Sequence, residues 1–375
     1  MTTRRALVRV NVAAIERNCA RLRGELRGST ELCAVVKADG YGHGAVQSAR
    51  AALAGGASWL AVACAREARE LRDAGMGDAR VLVMGALTAA ELREALAANA
   101  DVVVWRQRDV EAVAAAGGGR VHVKLDSGMG RLGTRDAAEA ARVVAFVRYT
   151  AGVELAGLMT HFATADDLDD AGFFVHQLAV FTDWAREIKR DHPEILVHAA
   201  NSAALLREER AHFDMARCGI AVYGMDPFGA DPYQRGLEPA LQLSSYVAEV
   251  KGLAVGESAG YGRRFVATRD TCLGVLPIGY GDGWRRGLSN NADVLVGGRR
   301  RPLVGTVSMD NITVDLGPDP TDEPLGKEAI LIGVQDAERI TAEEVASRLG
   351  TINYEVTCAL TPRVPRSYHR DGEPT

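Results

Sequence analysis

A34-V-V-K-A-D-G-Y-G-H-G44 closes a short apolar run with a lysine and continues with small residues, a tyrosine and three glycines. Leu32–Val36 has the uninterrupted, Val-rich character of a strand that is buried on both faces of a sheet. Lys37 therefore follows the end of such a strand. Because an ammonium group is costly to bury, the amine must be paired or neutral, and a neutral lysine is a nucleophile that forms Schiff bases. A structural lysine and a reactive lysine both fit this stretch.

Short apolar runs recur along the first 225 residues and resemble this one. The eight runs are Leu32–Ala38, Trp59–Ala65, Val81–Ala86, Asp101–Trp105, Arg120–Leu125, Leu155–Phe162, Leu196–Ala200 and Met215–Gly224. Segments with helical spacing separate them, such as Ala65–Gly75, which has a glycine at its expected C-terminal end. Eight alternations of strand and helix predict an eight-stranded, TIM-like α/β barrel. The segment between the fifth and sixth runs is long enough for a pair of helices.

The pattern changes at D226-P-F-G-A-D-P-Y-Q-R-G236, where Pro, Gly and Asp cluster and the helical spacing stops. Beyond it, Leu241–Lys251 and Val294–Val304 alternate between apolar and polar residues and predict strands. One helix is expected near Thr341–Leu349, because Thr341 and Glu344 have the spacing of a capping box. We therefore expect an α/β barrel domain over residues 1–236, followed by a mostly β C-terminal domain over residues 237–375.

The composition is that of an ordinary globular protein and argues against several function classes. The chain has 375 residues, a net charge of −5 and no block of like charges, so neither nucleic acid nor an anionic membrane is an expected partner. No apolar run approaches the roughly 18 residues of a membrane span, and no secretory signal is evident. The six cysteines and eight histidines are scattered, without metal-ligand spacing. This pattern predicts a cytoplasmic protein with reduced thiols and no metal site.

Polar residues stand at or just after the ends of five of the eight runs. They are Lys37 and Tyr41, the stretch K124-L-D-S-G-M-G-R131, His161, the pair Asn201-Ser202, and Arg217 followed by Gly219 and Ile220. Each of these residues taken singly is most simply a packed or surface residue. In an α/β barrel, however, the C-terminal ends of the strands meet at one rim, where the chemistry gathers. Together they predict a functional site at that rim.

The last two strands carry the features of a phosphate site. Loops after strands seven and eight of such barrels frequently bind phosphate. Ser202 offers a hydroxyl group there, and Gly219 lets backbone N–H groups approach an anion. A reactive lysine across the barrel mouth from a phosphate cradle implies pyridoxal 5'-phosphate. Its aldehyde would lie on Lys37, and its phosphate would lie between Tyr41, Ser202 and Gly219.

The chain resembles the alanine racemases, and the resemblance extends over nearly its whole length. The opening stretch is similar to the cofactor-lysine signature of that family. Further similar motifs follow in order: K124-L-D-S-G-M-G-R-L-G133, H161-F-A-T-A-D166, A200-N-S202, R217-C-G-I-A-V-Y-G224, G260-Y-G262, P277-I-G-Y-G-D-G-W284, S308-M-D310, Y354-E-V and R363-V-P-R366. Decarboxylases and a single-domain cofactor-homeostasis group share the barrel and the cofactor, but they do not carry the later motifs together.

The resemblance implies a two-base racemase that supplies D-alanine for peptidoglycan. Lys37 would hold the cofactor and act as one base. Tyr261 would be the opposite base and would reach the site of the other subunit in a homodimer. Arg217 would face the pyridine nitrogen, with His161 near it. The remaining residues implied to bind the cofactor are Tyr41, Asn201, Ser202, Gly219 and Ile220.

The resemblance also implies how the substrate is held. Arg131 and the backbone of Met309, the latter from the partner subunit, would bind the carboxylate of the amino acid. Lys124 would be carbamylated, and the resulting anion would position Arg131. Asp310 would be a supporting residue of the site. Tyr280 and Asp166 would line the entrance to the site.

The chemistry of racemisation agrees with these roles. A proton leaves one face of the α-carbon and returns to the other, so two bases on opposite faces are needed. Tyrosine is a poor base at its ordinary pKa of about 10 and needs cationic neighbours, which Arg131 and Arg263 or Arg264 would supply. The arginine at the ring nitrogen cannot readily give up its proton.

One departure from the family pattern leaves alternatives open. Some members carry a tyrosine just before the Arg-Val-Pro-Arg element, and this chain has Pro362. The lost hydroxyl group and the stiffer backbone make a serine racemase or a racemase of broader specificity the second hypothesis. A protein that binds pyridoxal phosphate without turnover is the third. Decarboxylation on the same barrel is disfavoured, because the later motifs of that family do not match.

Overall fold

The computed structural model describes residues 4–319 and 323–375. The strands are β1 (Ala6–Asn11), β2 (Glu31–Val35), β3 (Trp59–Val62), β4 (Arg80–Val83), β5 (Asp101–Val104), β6 (Gly119–Lys124), β7 (Val153–Met159), β8 (Leu196–His198), β9 (Met215–Cys218), β10 (Leu241–Tyr246), β11 (Glu249–Leu253), β12 (Ser258–Ala259), β13 (Phe265–Val266), β14 (Thr271–Leu276), β15 (Asp293–Val296), β16 (Arg299–Pro302), β17 (Ile312–Gly317), β18 (Glu328–Gln335), β19 (Glu338–Ile340), β20 (Arg366–Arg370) and β21 (Glu373–Pro374).

The helices are fewer and lie mostly between the early strands. They are α1 (Val12–Glu25), α2 (Lys37–Tyr41), α3 (Ala45–Ala54), α4 (Ala65–Asp73), α5 (Ala89–Ala97), α6 (Gln107–Ala115), α7 (Ala137–Tyr149), α8 (Ala171–Asp191), α9 (Ser202–Arg207), α10 (Ala342–Leu349) and α11 (Asn353–Cys358). Among the residues that the structure describes, no helix has both the length and the apolar character needed to span a lipid bilayer.

Contacts between residues divide the chain into two compact units. One is Ile15–Val222; the other contains the described residues up to Ala14 together with Tyr223–Thr375. The predicted boundary between residues 236 and 237 differs from this division. The physical reason is β1, which pairs antiparallel with β10 and parallel with β20 and so belongs to the sheet of the second unit.

The first unit is a closed barrel of eight parallel strands, β2 to β9 in chain order. It closes where β2 pairs with β9, with Glu31 opposite Met215 and Ala34 opposite Cys218. The strands are apolar on both sides because side chains alternate between the barrel interior and the surrounding helices. All eight predicted runs are barrel strands, so the predicted fold is confirmed. The segment between β6 and β7, although long enough for a pair of helices, contains only α7, because a glycine-rich loop occupies its first half.

The second unit is mostly β, as predicted. Its largest sheet has the order β16-β15-β18-β10-β1-β20-β21, and smaller sheets join β11-β14-β17 and β12-β13. Leu241–Lys251 divides into two strands of different sheets, β10 and β11, rather than one. The expected helix is α10, and α11 follows it unpredicted. Thr341 accepts the N–H of Glu344 at 3.2 Å, but Glu344 binds Arg300 at 2.7 Å and Arg348 at 2.9 Å, so only half of the predicted capping box forms.

Candidate active site

Lys37 begins α2, which is a left-handed turn rather than a regular α-helix and follows the C-terminal end of β2. Residues 38–41 all have positive φ values, between 53° and 59°. For residues other than glycine this conformation costs about 1–2 kcal/mol each, so the turn needs support from outside. Glu67 supplies it, because its two carboxylate oxygens accept the N–H groups of Ala38 and Ala63, each at 2.7 Å. The strand end and this braced turn fix the backbone that carries the lysine.

The loops after β8 and β9 form a narrow cradle beside Tyr41. The hydroxyl oxygen of Ser202 accepts the N–H of Gly219 at 3.0 Å and the N–H of Ala221 at 3.3 Å. Tyr41, Ser202 and Ile220 are all buried. A Cβ atom at Gly219 would overlap the hydroxyl group of Tyr41. Only glycine therefore leaves this space, and the predicted phosphate-binding residues do meet at one place.

Asn201 has a structural contact of its own in the cradle. Its side-chain oxygen accepts the N–H of Ala204 at 2.9 Å and so caps α9. A capping asparagine satisfies one of the N–H groups that a helix start leaves without an intrahelical partner. This contact fixes the orientation of Ser202, the first residue of the helix. The role of Asn201 toward a cofactor stays a prediction.

Lys124 is buried at the end of β6 among other cations. Burial first, and then the charges of Arg217 and Arg131, lower the pKa of Lys124 to about 8. Asp126 acts in the opposite direction, and Lys37 adds to the lowering. Four cationic side chains thus influence one another at this rim. Such a cluster attracts anions, and phosphate and carboxylate groups are the anions that lysine and arginine bind most readily.

Arg217 is enclosed on β9 and is held by neutral acceptors. It donates to Nδ1 of His198 at 2.7 Å and to the carbonyl oxygens of Thr160 and Ala199 at 2.9 and 3.0 Å. Nδ1 of His161 lies 3.4 Å from the guanidinium group. Burial lowers the pKa of Arg217 to about 10, which leaves it cationic at neutral pH. Burial and then the charge of Arg217 hold the pKa of His161 well below its usual range, so that imidazole is neutral.

The loop that carries Arg131 is organised by Asp126. This carboxylate accepts the N–H of Gly128 at 3.1 Å and the N–H of Gly130 at 2.9 Å, and Arg135 lies 3.5 Å away. Burial acts to raise the pKa of Asp126, but these hydrogen bonds outweigh burial and hold the pKa below its usual value. The loop therefore has a fixed anionic anchor, while Arg131 itself is exposed.

The second unit presents the other predicted base on an exposed turn. Tyr261 is 75% exposed and lies between Gly260 and Gly262, whose φ values are 73° and 72°. The hydroxyl group of Thr306 donates to the carbonyl oxygen of Tyr261 at 2.7 Å. The backbone of this tyrosine is thus anchored, while its ring projects from the unit.

Met309 and Tyr280 lie on two loops that hold each other. The N–H of Tyr280 donates to the carbonyl oxygen of Ser308 at 3.0 Å. Met309 and Tyr280 are 51% and 42% exposed. Arg363 donates to Asp310 at 2.6 Å, which agrees with a supporting role for that aspartate. The structure therefore gathers the predicted second-unit residues onto neighbouring exposed loops.

Two residues that hold the rim loops in place, Gln177 and Arg207, were not predicted from the sequence. Gln177, buried on α8, accepts the N–H of Ala163 at 2.8 Å and lies 3.4 Å from the hydroxyl group of Ser127, so it joins the loops after β6 and β7. Nothing in the local sequence marks it. Asp166, predicted at the entrance, is exposed on the loop before α8. Arg207 secures that loop by donating to the carbonyl oxygens of residues 164, 165, 167 and 170.

The donor set of the barrel rim fits pyridoxal 5'-phosphate. The cluster of cations suits a phosphate dianion, and the cradle at Gly219 has space that any Cβ atom would fill. Within residues 4–319 and 323–375, Arg217 forms no ion pair with a carboxylate and binds neutral acceptors. A pyridine nitrogen is a neutral acceptor of the same kind. Lys37 would supply an amine for the aldehyde.

Comparison with known proteins gives one consistent result. Residues 10–227 match the family model of the alanine racemase N-terminal domain, and residues 240–368 match that of the C-terminal domain. Alanine racemases of Halalkalibacterium halodurans and Geobacillus stearothermophilus are each 41% identical to this chain, over 98% and 96% of it and over 95% and 92% of their own lengths.

Solved structures agree in fold as well as in sequence. The alanine racemase of D-cycloserine-producing Streptomyces lavendulae superposes with a TM-score of 0.92 at 35% identity and covers 98% of each chain. That of Bacillus anthracis with bound L-Ala-P gives a TM-score of 0.90 at 35% identity, over 100% of this chain and 97% of the other. The matches of both domains, the barrel fold and the rim residues therefore support one conclusion: the chain belongs to the alanine racemase family.

Proposed function

We propose that this chain interconverts L- and D-alanine with pyridoxal 5'-phosphate, and that Lys37 and Tyr261 are its two bases. Membership of the alanine racemase family assigns the reaction, and supplying D-alanine for peptidoglycan is the role of that family. The observation that carries the residue assignment is the meeting of Lys37, the Tyr41–Gly219 cradle and Arg217 at one rim of the barrel. The remaining rim residues then act on the cofactor and the substrate.

The barrel residues hold the cofactor at three points. Lys37 would bind it covalently. The hydroxyl groups of Tyr41 and Ser202 and the backbone of Gly219 and Ile220 would hold its phosphate, and Arg217 would face its ring nitrogen. When bound, pyridoxal phosphate supplies an electron-withdrawing system that makes the α-hydrogen of the amino acid acidic. Arg217 would donate a hydrogen bond to the ring without transferring a proton, because a guanidinium group keeps its proton.

The proton moves between two side chains on opposite faces of the α-carbon. The amine of Lys37 takes or returns it on one face, and the phenol oxygen of Tyr261 does so on the other. Each well-placed base contributes roughly 10²–10⁴ in rate. Tyr261 belongs to the second unit and is 75% exposed there, which supports a homodimer in which it serves the site of the partner subunit. An isologous dimer would contain two such sites.

The substrate carboxylate is held by Arg131 and by the backbone of Met309 from the partner subunit. Lys124 prepares Arg131. A lysine with a pKa of about 8 is partly neutral near physiological pH, and its amine adds to carbon dioxide to form a carbamate with loss of one proton. The resulting anion faces the surrounding cations and would orient Arg131 by charge pairing.

The surroundings of the site complete the proposal. Tyr280 and Asp166, both exposed, line the entrance. Asp310 holds the Met309 loop through Arg363. All six cysteines lie in the described part of the chain and none of them forms a disulfide, which agrees with a reducing compartment, and we propose the cytoplasm as the location of the enzyme.

A racemase that prefers serine is the second candidate, and one observation motivates it. Pro362 is exposed on the turn immediately before Arg363, the residue that binds Asp310 beside Met309. A change at this turn therefore reaches the loop that would meet the substrate. Comparing kcat/KM for L-alanine and L-serine decides between the two, and a larger value for L-serine would favour this candidate.

The test of the two-base mechanism is exchange in heavy water. The purified protein with pyridoxal phosphate is given L- or D-alanine, and α-deuterium incorporation and the appearance of the other enantiomer are followed. In Tyr261→Phe, racemisation should fall by roughly 10²–10⁴, while the face served by Lys37 still exchanges. Tyr149→Phe, a change at an 85% exposed tyrosine on α7, is the matched control. Equal racemisation by Tyr261→Phe and the parent would refute the mechanism, and a parent protein that binds the cofactor without exchange would favour the non-catalytic reading.

Mixing two inactive variants tests whether the site is shared between subunits. A heterodimer of Lys37→Ala and Tyr261→Phe subunits contains one intact site if the bases come from different chains. Random reassociation should then restore about a quarter of the parental activity, since half of the dimers are mixed and each has one of two sites. If both bases belong to the same chain, the mixture stays as inactive as its components.

A further inference from the structure

A line of four enclosed side chains crosses the barrel interior below the site. Its members, from the rim downward, are Arg217, His198, His122 and Asp101. Nδ1 of His198 lies 2.7 Å from the guanidinium group, and Nε2 of His198 lies 2.8 Å from Nδ1 of His122. Nε2 of His122 lies 3.1 Å from the carboxylate of Asp101. The two histidines and the aspartate have no exposed surface.

Only one placement of the protons gives each of these three contacts a donor and an acceptor. A guanidinium group donates and cannot accept, so Nδ1 of His198 must carry a lone pair and its proton must lie on Nε2. That N–H donates to Nδ1 of His122, which must therefore accept. His122 then has its own proton on Nε2 and donates it to Asp101. Every donor has an acceptor, and each hydrogen bond points away from the rim.

The lower end of the line is a fixed negative charge. Asp101 begins β5, and Arg80 and Arg120 bind it at 2.6 and 2.7 Å. Burial acts to raise the pKa of Asp101, but the hydrogen bonds from His122 and both arginines outweigh burial and keep the pKa below its usual value. Burial is also the largest cause that lowers the pKa values of His122 and His198. The carboxylate is therefore ionised, and both imidazoles are neutral.

We propose that His122 and Asp101 are positioning residues for Arg217. They hold His198 in the tautomer that presents a lone pair to the guanidinium group, and they thereby fix the orientation of Arg217 toward the ring. That this ring is the pyridine ring of pyridoxal phosphate rests on the proposed function, whereas the hydrogen bonds along the line of side chains do not depend on it. In the other tautomer an N–H of His198 would face an N–H of Arg217, and one of the two side chains would have to turn away.

The packing of His122 offers a control for the hydrogen bonds. The ring of Trp59 meets the edge of His122 with centroids 5.8 Å apart, and Arg80 lies over Trp59 at 4.3 Å. Trp59 thus contacts the line without belonging to it. Trp59→Phe changes the packing around His122 but leaves the four polar side chains in place.

Nitrogen NMR of the enzyme loaded with pyridoxal phosphate tests the proposal directly. In protein labelled with ¹⁵N-histidine, His198 should show a protonated Nε2 and an unprotonated Nδ1 from pH 6 to 8. A scalar coupling should join Nε2 of His198 to Nδ1 of His122 across their N–H···N hydrogen bond. His198→Gln identifies the resonances. A protonated Nδ1 on His198 in the parent protein would overturn the proposal without any variant being needed.

Variants at His122 then connect the line to Arg217. In His122→Phe the N–H of His198 loses its acceptor, so the tautomer should shift and kcat should fall about tenfold or more, with a smaller change in KM. His122→Gln keeps one acceptor and one donor and should restore the tautomer and most of kcat. Trp59→Phe should keep both.

The possible results separate this inference from the proposed function. An unchanged His198 tautomer in His122→Phe, or equal losses in His122→Gln and His122→Phe, would overturn the positioning role even in an active racemase. A parent protein with the expected tautomer and coupling, but without racemase activity, would refute the proposed function and leave the line of hydrogen bonds standing.

Discussion

Replacing Gly219 by alanine should weaken cofactor binding and destabilise the barrel through one steric conflict. The backbone of Gly219 is not left-handed, so the added methyl group is the whole perturbation. That methyl group would overlap the hydroxyl oxygen of Tyr41 and would lie 2.8 Å from its Cζ atom. Tyr41 is buried and cannot swing into solvent. Overpacking of this kind costs about 1–3 kcal/mol of folding free energy.

The cost to binding follows from the displaced phenol. If Tyr41 moves, a phosphate bound as proposed would lose one hydrogen bond to a charged group, worth about 1.5–3 kcal/mol. The dissociation constant for pyridoxal phosphate should then rise about 10- to 150-fold. Spectroscopic titration of the apoprotein measures this constant, and urea unfolding measures the loss of stability.

Two further variants make the test specific. Gly172→Ala adds a methyl group on α8 where nothing lies within 4 Å, so its dissociation constant should match that of the parent. Tyr41→Phe removes the nearest conflicting atom, and the added cost of Gly219→Ala should be smaller in that background. A Gly219→Ala protein that binds the cofactor within twofold of the parent and unfolds at the same urea concentration would refute the steric argument.

Three other predictions concern charge and support at the rim. At pH 7.5 a pKa of about 8 leaves about a quarter of Lys124 neutral, against about one in a thousand for an ordinary lysine, so ¹³C-bicarbonate should give a carbamate resonance that is absent from Lys124→Met. The pKa of His161 is lowered in the folded protein, so as the pH falls the unfolded chain binds a proton at this residue before the folded chain does. The free energy of unfolding should therefore fall below about pH 6.5 by up to about 1.4 kcal/mol per pH unit. Urea titrations at pH 7.5 and 5.5 should show a shallower decline in His161→Asn. Glu67→Ala should lose about 1–3 kcal/mol of stability, whereas Glu94→Ala, which breaks an exposed pair with an arginine, should lose about 0.5 kcal/mol or less; equal losses would contradict the bracing role of Glu67.

The barrel could be predicted because each strand has a complete local signature. Every run is apolar enough to be buried on both faces, and polar residues at or beyond the ends of five of the eight runs mark the rim. Lys37, Ser202 and Arg217 could therefore be placed together from the rule that the C-terminal ends of barrel strands share one face. Their distances could not be predicted, because these depend on the left-handed turn and on the register between strands.

The division into units could not be predicted from local sequence. β1 is a good strand by composition, but nothing in its sequence names β10 and β20 as its partners. The same limit explains Leu241–Lys251, where alternation continues while the chain passes from one sheet to another.

The line of side chains from Arg217 to Asp101 was not predicted, although the position of His122 on β6 indicated part of it. His122 and Lys124 have the same parity on β6, and successive side chains of a strand point to opposite faces. A histidine two positions before a rim lysine, inside an apolar run, therefore faces the barrel interior. Its partners His198 and Asp101 come from other strands, so the hydrogen bonds themselves required the structure.

The position of β1 has a consequence for the order in which this chain acquires its structure during synthesis. The sequence of the barrel is complete once Val222 has been added, and all its strand pairs join residues before that point. The sheet that includes β1 cannot be completed until β20 has been made, because Val8 pairs with Arg366. At about 5–20 residues per second, residues 223–370 take roughly 7–30 s to synthesise. β1 precedes every barrel strand in the chain, yet it completes its strand pairs only after the whole barrel sequence has been made.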